Sequence, residues 1–503
     1  MNRICTKLAI ATVATALAVG WTPTLRAEDQ PSDKEAAQPG SSSQPAASAQ
    51  PTADERLQEL EKQVTLLQQE IAALKDQETP GLKTAALAEP TPGGSLTPAS
   101  AADDAPAKIN LAGLLGPVTL SGFGDVYYGY NYNHPPDNFS GFRNFEAPAN
   151  GFSFNMAELI LDKAPDATTS DGRLGYHVSA GYGNAARVVN GSDVGGDGSQ
   201  FYLKEAYLDY LAPIGKGLTI TVGKFVTPIG AEVIESNANW NYTRSLLFYY
   251  AIPYFHFGAS AKYAFNSKWA LTGYLVNGWN NSDIFHDAGT GQSSGLTYGA
   301  SLAWTPTAKW AVTENYFAGP VTDAYPTEFA GYTLNDWKQL EDATIAYTPN
   351  MKWAFQVNGD YGFGPKSYSD CGGEDAIVRG AASVTPDAPI SCTAGPTKTW
   401  WGVAGYAKYT LSPKTNFAAR YEYYEDPNGY TGLLDGDTGH AQEVTGTYSY
   451  NLTSALLIRG EYRYDFASEP FFEKGFPTHD KFVKEQNTAY ISFVYSFSSA
   501  NMK

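Results

Sequence analysis

Charged side chains recur at every second position in two segments of the C-terminal part of the chain. Arg420 and Glu422 form one set, and Arg459, Glu461 and Arg463 form the other. Residues two apart in an extended strand point to the same face of a sheet, so each set would line one face. A row of arginines along one wall could sort ions by charge. Alternatively, each arginine and its glutamate neighbour could neutralise one another across strands.

Acidic residues also occur in a long segment that we place after the fifth strand, residues 227–256. It carries Glu232 and Glu235 among tyrosine, tryptophan and asparagine residues. If this segment folded back against a basic wall, the two carboxylates would create a transverse field at the narrowest point of a channel. Such a field sorts solutes by their dipole and charge.

One pair of residues has the spacing of a hydrolytic dyad. His177 and Ser179 are separated by a single residue, as in the dyad of an outer-membrane phospholipase. A dyad that cleaves lipid must face the bilayer, but the apolar residues Tyr176, Val178 and Ala180 take that face. The sequence therefore predicts no enzyme, with a lipid hydrolase as an alternative. No other set among the six histidines suggests a catalytic residue, a metal site or a cofactor.

The elements that would position these residues are β-strands. After about residue 118, short segments alternate apolar and polar residues with period two, which is the signal of a half-buried strand. Leu174, Val178 and Tyr182, for example, oppose His177 and Ser179. Sixteen strands are predicted, starting near residues 118, 152, 173, 201, 217, 257, 269, 296, 310, 339, 353, 400, 415, 441, 455 and 486.

The connections between these strands alternate between short and long. The short ones are residues 212–216, 266–268, 305–309, 349–352, 412–414 and 452–454. The long ones, rich in glycine and aspartate, are residues 131–150, 184–200, 227–256, 278–294, 319–337, 364–399, 426–439 and 467–484. One set of short turns and one set of long loops is typical of an outer-membrane barrel. The predicted fold is thus all-β, a transmembrane antiparallel barrel of about 16 strands with both ends on the short-turn side.

Aromatic residues make up 14% of the chain, and the barrel gives several of them a place. Four tryptophans flank short turns, where a periplasmic-side girdle would lie: Trp269, Trp304, Trp310 and Trp353. Trp240, Tyr242 and Trp279 belong to long connections and could form a path on which sugars stack. Rings at a membrane interface explain these three residues more simply.

The overall composition excludes other classes of protein. The net charge of −18 argues against nucleic acid as the main partner. A polytopic helical membrane protein needs repeated apolar runs of roughly 20 residues, and a disordered chain avoids aromatic residues. Neither description fits this sequence.

The N-terminal segment has the features of an export signal. Arg3 and Lys7 precede an apolar stretch that is too short for a membrane anchor, and a small residue, Ala27, precedes the first acids. We therefore predict a signal peptide over residues 1–27. Two cysteines follow in the exported chain, Cys371 and Cys392, and they are predicted to form a disulfide.

Between the signal and the barrel, the composition changes three times. Residues 28–51 form a low-complexity tether, residues 52–79 a helix, and residues 80–117 a linker rich in proline, alanine and glycine; the barrel occupies residues 118–503. The helix has a coiled-coil seam of Leu57, Leu60, Val64, Leu67, Ile71 and Leu74. It could also lie on its own protein, but its low-complexity flanks favour self-association. The seam residues favour two strands.

Several runs of residues carry a resemblance to one family. They are KEAYL at 204–208, APIGKG at 212–217, VGKFVTPIG at 222–230, residues 232–244, AIP at 251–253 and VNGW at 276–279. In these runs, and from about Thr119 to the C-terminus, the chain resembles the OmpL-like β-barrel porin family. The resemblance implies an outer-membrane channel without catalytic residues and with no settled substrate. The helix lies outside the family pattern; other bacterial porins that carry a periplasmic coiled coil are commonly trimers, which implies a trimer here.

The sequence therefore predicts a porin in the outer membrane of a Gram-negative bacterium. It would form a water-filled channel for passive diffusion of small hydrophilic solutes or ions. Its expected partners are the lipid bilayer, these solutes and further copies of the chain, held together through the barrel and through the N-terminal helix in the periplasm. The alternative is a non-conducting surface barrel whose long loops serve adhesion or act as a receptor.

Overall fold

The computed structural model describes residues 109–110, 117–168, 171–193, 198–283, 295–322, 335–369, 393–475 and 481–501. Sixteen long strands dominate this part of the chain. They are β1 (Pro117–Asn131), β2 (Gly151–Lys163), β3 (Leu174–Tyr182), β4 (Phe201–Ala212), β5 (Leu218–Val226), β6 (Phe255–Ala264), β7 (Trp269–Val276), β8 (Thr297–Thr307), β9 (Trp310–Thr322), β10 (Asn335–Tyr347), β11 (Trp353–Ser369), β12 (Thr393–Ser412), β13 (Thr415–Asp426), β14 (Gly439–Asn451), β15 (Leu456–Ala467) and β16 (Glu485–Ser498).

These strands form one closed antiparallel barrel, so the predicted fold class and strand number are confirmed. Each strand pairs with its neighbours in the chain, and β16 closes the barrel by pairing with β1. A short strand, Ile109–Asn110, adds to the start of β1. Because a closed sheet has no free edge, all its backbone polar groups can be satisfied inside a membrane.

The predicted strand starts agree with the structure to within two residues for fourteen of the strands. The exceptions are β10, which begins at Asn335 rather than near 339, and β12, which begins at Thr393 rather than near 400. In both strands, residues that precede the predicted start already pair with a neighbouring strand. The strand pairing extends beyond the segment in which apolar and polar residues alternate. A strand that projects beyond the bilayer needs no apolar outer face.

The two faces of the barrel differ in polarity. Outward side chains are largely apolar and exposed, for example Leu208 and Val222, whereas inward residues such as Asp125 are polar and buried. The tryptophans at positions 269, 304, 310 and 353 lie beside the short turns with exposed rings. The rings of Trp269 and Trp304 stack across β7 and β8 with centroids 5.3 Å apart.

The long loops contain local structure that the sequence does not predict. One loop holds a helix, α1 (Asn184–Gly191), another holds a π-helical turn (Leu247–Ala251), and Phe472–Lys474 pairs with Lys481–Val483. In α1 only two turns are available, which is too few for a helical periodicity to stand out from a loop. None of the helices in the described ranges is long and apolar enough to span a membrane.

The predicted signal peptide, tether and coiled-coil helix with its seam lie outside the described residues. Cys371 and Cys392 lie outside them as well. These segments, their boundaries and the disulfide stay predictions.

Candidate functional site

The loop between β5 and β6 lies inside the barrel, and we call residues 227–254 the inner loop. Its base is closed by a hydrogen bond from the Thr227 N–H to the Tyr254 carbonyl, at 3.0 Å. Asn241, Tyr242 and Thr243 at its centre have no exposed surface. Backbone polar groups that are buried in this way need partners. Side chains of the barrel wall supply many of these partners.

Arg420 of β13 makes several bonds to the inner loop. Its guanidinium contacts the Glu232 carboxylate at 2.6 Å and donates to the Thr243 carbonyl at 2.6 Å. It also contacts Glu443 of β14 at 2.6 Å, and it is almost completely buried. The structure thus brings a predicted wall residue and a predicted loop residue together in one buried ion pair.

The two predicted glutamates of the wall accept hydrogen bonds from the backbone of the inner loop. Glu422 accepts from the N–H groups of Leu246 at 2.6 Å and Leu247 at 3.2 Å. Glu461 accepts from the Thr243 N–H at 2.9 Å and from the Tyr242 N–H. Four buried N–H groups of the loop thus find acceptors on the wall, and these bonds hold the loop against it.

The other two arginines bind carbonyl groups of the same loop. Arg459 donates to the Asn239 carbonyl at 2.7 Å, and Arg463 donates to the Arg244 carbonyl. Both arginines are buried. They therefore face the loop rather than an open passage.

Two acidic residues that the sequence analysis missed sit among these arginines. Glu443 lies 2.6 Å from Arg420 and 3.4 Å from Arg463, and Asp465 lies 2.8 Å from Arg463. Arg420 is closer to Glu443 than to its own-strand neighbour Glu422, at 3.9 Å. The positive charges of these arginines are thus neutralised by carboxylates, most of which lie on neighbouring strands. Glu443 and Asp465 occupy inward positions of the period-two pattern, which was the available signal.

The inner loop is also bonded to strands that lie on either side of β13–β15. Asp125 of β1 accepts hydrogen bonds from the Ser236 hydroxyl at 2.7 Å and the Tyr242 hydroxyl at 3.0 Å. Asn358 of β11 accepts one from the Ala231 N–H at 3.0 Å. The loop is therefore fastened to one continuous stretch of the wall, which runs from β11 through β16 to β1.

A second ion cluster connects the inner loop to β2 and β4. The Lys204 ammonium contacts the Glu235 carboxylate of the loop and the Glu158 carboxylate of β2, the latter at 2.6 Å. Glu205 lies 3.5 Å away. Lys204, Glu158 and Glu205 are all buried. One ammonium group thus sits among three carboxylates, and it fixes the position of Glu235.

His177 belongs to this cluster and not to a hydrolytic dyad. Its Nδ1 lies 3.0 Å from Asp162, and its Nε2 lies 3.4 Å from Glu205. The hydroxyl of Ser179 has no hydrogen-bond partner among the described residues. Both ring nitrogens are directed at carboxylates, so the geometry offers no base for Ser179. Within the same ranges, no three His, Cys, Asp or Glu residues are grouped to hold a metal.

The first long loop, residues 132–150, packs against the inner loop. Arg143 forms an ion pair with Asp465 at 2.7 Å, and Glu146 pairs with Arg244 of the inner loop. Burial raises the pKa of Glu146 to about 7, although the positive charge of Arg244 acts in the opposite direction. Glu146 therefore titrates near neutral pH.

We expect the contact between these two loops to weaken as the pH rises. Because the pKa of Glu146 in the folded protein lies above its ordinary value of 4.5, the stabilisation is complete below that value and is lost as the pH passes through about 7. Limited proteolysis of the folded barrel at pH 5 and pH 8 measures the effect as faster loop cleavage at pH 8. Glu146→Gln should remove the difference; a variant that keeps it would contradict the assignment to Glu146.

The structure corrects the preferred interpretation of the long-loop aromatics. Tyr242 has no exposed surface, so its placement at a membrane interface is wrong. Trp240 and Trp279 lie beside inward lysines: Lys408 Nζ is 4.7 Å from the Trp240 ring centroid, and Lys338 Nζ is 3.7 Å from that of Trp279. These two rings therefore lie in the interior of the barrel, where each contacts a lysine that is distant in the sequence.

The chain is similar to porins and other outer-membrane channels. A family model described as "Putative beta-barrel porin-2, OmpL-like" matches residues 117–497. The outer membrane channel DcaP of Acinetobacter baumannii is 12% identical with a TM-score of 0.48, over 76% of this chain and 97% of that one. An anion-selective porin from Comamonas acidovorans is 11% identical with a TM-score of 0.47, over 76% and 99% of the two chains. No curated protein matches the sequence.

Proposed function

The chain belongs to the OmpL-like beta-barrel porin-2 family, and on that premise we propose that it is an outer-membrane porin. Its barrel would hold a water-filled channel for passive diffusion of small hydrophilic solutes or ions. The observation that supports this most is a closed sixteen-strand barrel with a polar inner face and a loop fastened inside it. A barrel of this size is wide enough for an aqueous lumen. The width of the open lumen then depends on the inner loop.

In this proposal the inner loop is the constriction, and the predicted wall residues are its anchors. Glu232 and Glu235 hold the loop through Arg420 and Lys204. Their charges are largely neutralised in these pairs, so their contribution is position rather than direct contact with a solute. Selectivity would then come from inward charges that have no such partner.

Recordings in planar lipid bilayers test the channel function. The purified full chain should produce discrete steps of ion conductance, and silence would overturn the proposal in favour of a non-conducting surface barrel. A variant whose residues 228–253 are replaced by a short Gly-Ser linker should conduct more, because the lumen is no longer narrowed. Equal conductance in the two proteins would contradict the constriction role.

A polar site on the outer surface supports self-association of the barrel. Glu314 of β9 and Glu341 of β10 point outward, and their carboxyl groups interact with one another. Glu314 is four residues from Trp310 beside the short turn, which places it roughly 10 Å into an apolar band of about 25 Å. A carboxylate on a lipid face is destabilising. A second copy of the chain packed on β9 and β10 would cover the pair.

This predicts a position-specific effect of a bulky substitution. Glu314→Trp should reduce the oligomer fraction on semi-native gels, because the larger ring prevents close packing of two barrels. The matched control is Val444→Trp on β14, another outward position, where a tryptophan can face lipid without loss. Oligomers that survive both substitutions equally would exclude the β9–β10 face as the interface.

We also propose that the N-terminal segments take part in assembly. After export and cleavage of residues 1–27, the tether would place the helix of residues 52–79 in the periplasm, where it could join two or three copies. Deleting residues 28–106 while keeping the signal should weaken the oligomer and leave the conductance of each barrel unchanged. Unaltered assembly would argue against the coiled coil.

A further inference from the structure

One inward lysine near the long-loop end of the barrel lies among aromatic rings. Lys338 belongs to β10, and its Nζ is 3.7 Å from the Trp279 ring centroid and 5.5 Å from those of Trp400 and Tyr430. The Trp400 and Tyr430 rings are 5.3 Å apart at an interplanar angle of 31°. Trp279 is nearly perpendicular to Trp400. We call Trp279, Trp400 and Tyr430 the aromatic cage.

The surroundings of Lys338 differ from those of three interior cations that lie in ion pairs. Lys204, Arg420 and Arg463 each contact at least one carboxylate within 2.8 Å. In the part of the chain that the structure describes, Lys338 is paired with rings and with no carboxylate. A ring face attracts the positive charge but does not accept the strong hydrogen bonds of an ammonium group. Lys338 is also partly exposed, so it can still bind an anion.

Two further groups beside Lys338 favour an anion. The indole N–H of Trp279 is buried and has no acceptor among the described residues. Lys398 lies two residues before Trp400 on the same face of β12, and its Nζ is 5.3 Å from the Tyr430 ring centroid. One ammonium group and one indole donor without an acceptor among the described residues therefore lie together at the aromatic cage, and the Lys398 ammonium is nearby.

From this arrangement we propose that Lys338 and the aromatic cage bind small aromatic carboxylates. The carboxylate would accept hydrogen bonds from the Lys338 ammonium and the Trp279 indole, while its ring packs on Tyr430, which is partly exposed and is backed by the buried Trp400. An organic cation would be repelled, and an aliphatic carboxylate would lack the ring contact. The site thus selects by charge and by shape together.

The position of the cage connects this site to transport, and this part rests on the proposed porin function. The Trp400 indole donates to the Ala251 carbonyl of the inner loop at 3.2 Å. A solute bound at the cage would therefore lie next to the constriction. Lys408 lies eight residues after Trp400 on β12, beside Trp240 of the inner loop, and it repeats the pairing of an ammonium with an indole. Lys338 and Lys408 would therefore mark a route for anions along the wall.

Calorimetric titration of the purified full chain tests the site, with benzoate, acetate and benzylammonium as probes. Benzoate should bind, acetate should bind more weakly, and benzylammonium should not bind. Lys338→Gln should weaken benzoate binding about tenfold, the effect of losing one charge-assisted hydrogen bond. Trp279→Leu should weaken it too, which covers the case in which the lysine variant does not fold. The control, Lys262→Gln, removes an inward lysine of β6 and should leave the affinity unchanged.

The proposal is overturned if the wild-type chain does not bind benzoate, if acetate binds as tightly, or if the folded Lys338 and Trp279 variants keep the wild-type affinity. Because calorimetry does not depend on conduction, the two proposals fail separately. Benzoate binding without conductance would refute the porin function and leave the site intact. Conductance without benzoate binding would refute the site and leave the porin function intact.

Discussion

Replacing Arg420 by methionine is expected to release the inner loop from the wall and to raise the single-channel conductance together with its noise. The substitution leaves Glu232 buried without the guanidinium that contacts it at 2.6 Å, and it leaves Glu443 with Arg463 alone, at 3.4 Å. Removing one partner of a buried ion pair costs about 3–5 kcal/mol, because the remaining charge is uncompensated. The loop also loses the bond to the Thr243 carbonyl. Bilayer recordings and protease cleavage within residues 227–254 measure the release.

The double variant Arg420→Met with Glu443→Gln is the matched control. It removes one of the two carboxylates that lose the contact with Arg420, so part of the loop packing should return and the conductance should fall towards the wild-type value. If the double variant behaves like the single one, charge imbalance is not what displaces the loop. An Arg420→Met channel with wild-type conductance and cleavage would refute the anchoring role of Arg420.

Replacing Lys204 by methionine is expected to destabilise the barrel itself. Lys204 is the ammonium shared by Glu158, Glu205 and Glu235, and its loss leaves these carboxylates facing one another. The penalty is of the order of 3–5 kcal/mol for an uncompensated buried charge. The measurement is the urea midpoint of unfolding in detergent, followed as the shift from the compact to the unfolded band on gels without heating.

Glu235→Gln provides the comparison for Lys204. Its carboxylate is the most exposed of the three, at 20%, so removing its charge should lower stability much less than Lys204→Met. It should still loosen the inner loop, because the contact between β4 and the loop is weakened. Equal losses of stability in the two variants would show that the loop contact, rather than the cluster of carboxylates, carries the effect.

Most of the barrel could be predicted because a membrane-spanning strand has a recognisable pattern in its own residues. Each strand must be apolar on one face, so residues two apart reveal the face, and the turns reveal where strands end. The inward positions of Arg420, Glu422, Arg459, Glu461 and Arg463 follow from this parity. The parity also places His177 on the inner face, and the structure agrees.

The partners of these residues could not be predicted, because they depend on relations that no local pattern records. Arg420 and Glu232 are separated by 188 positions, and they meet only because the inner loop turns into the barrel. Glu443 lies between Arg420 and Arg463 through the register of three strands. The period-two pattern is thus enough to assign each wall residue to a face of the barrel. The folded chain is needed to show that the arginines bind the inner loop and that Lys338 faces aromatic rings, because the pairing of charges depends on distance in space.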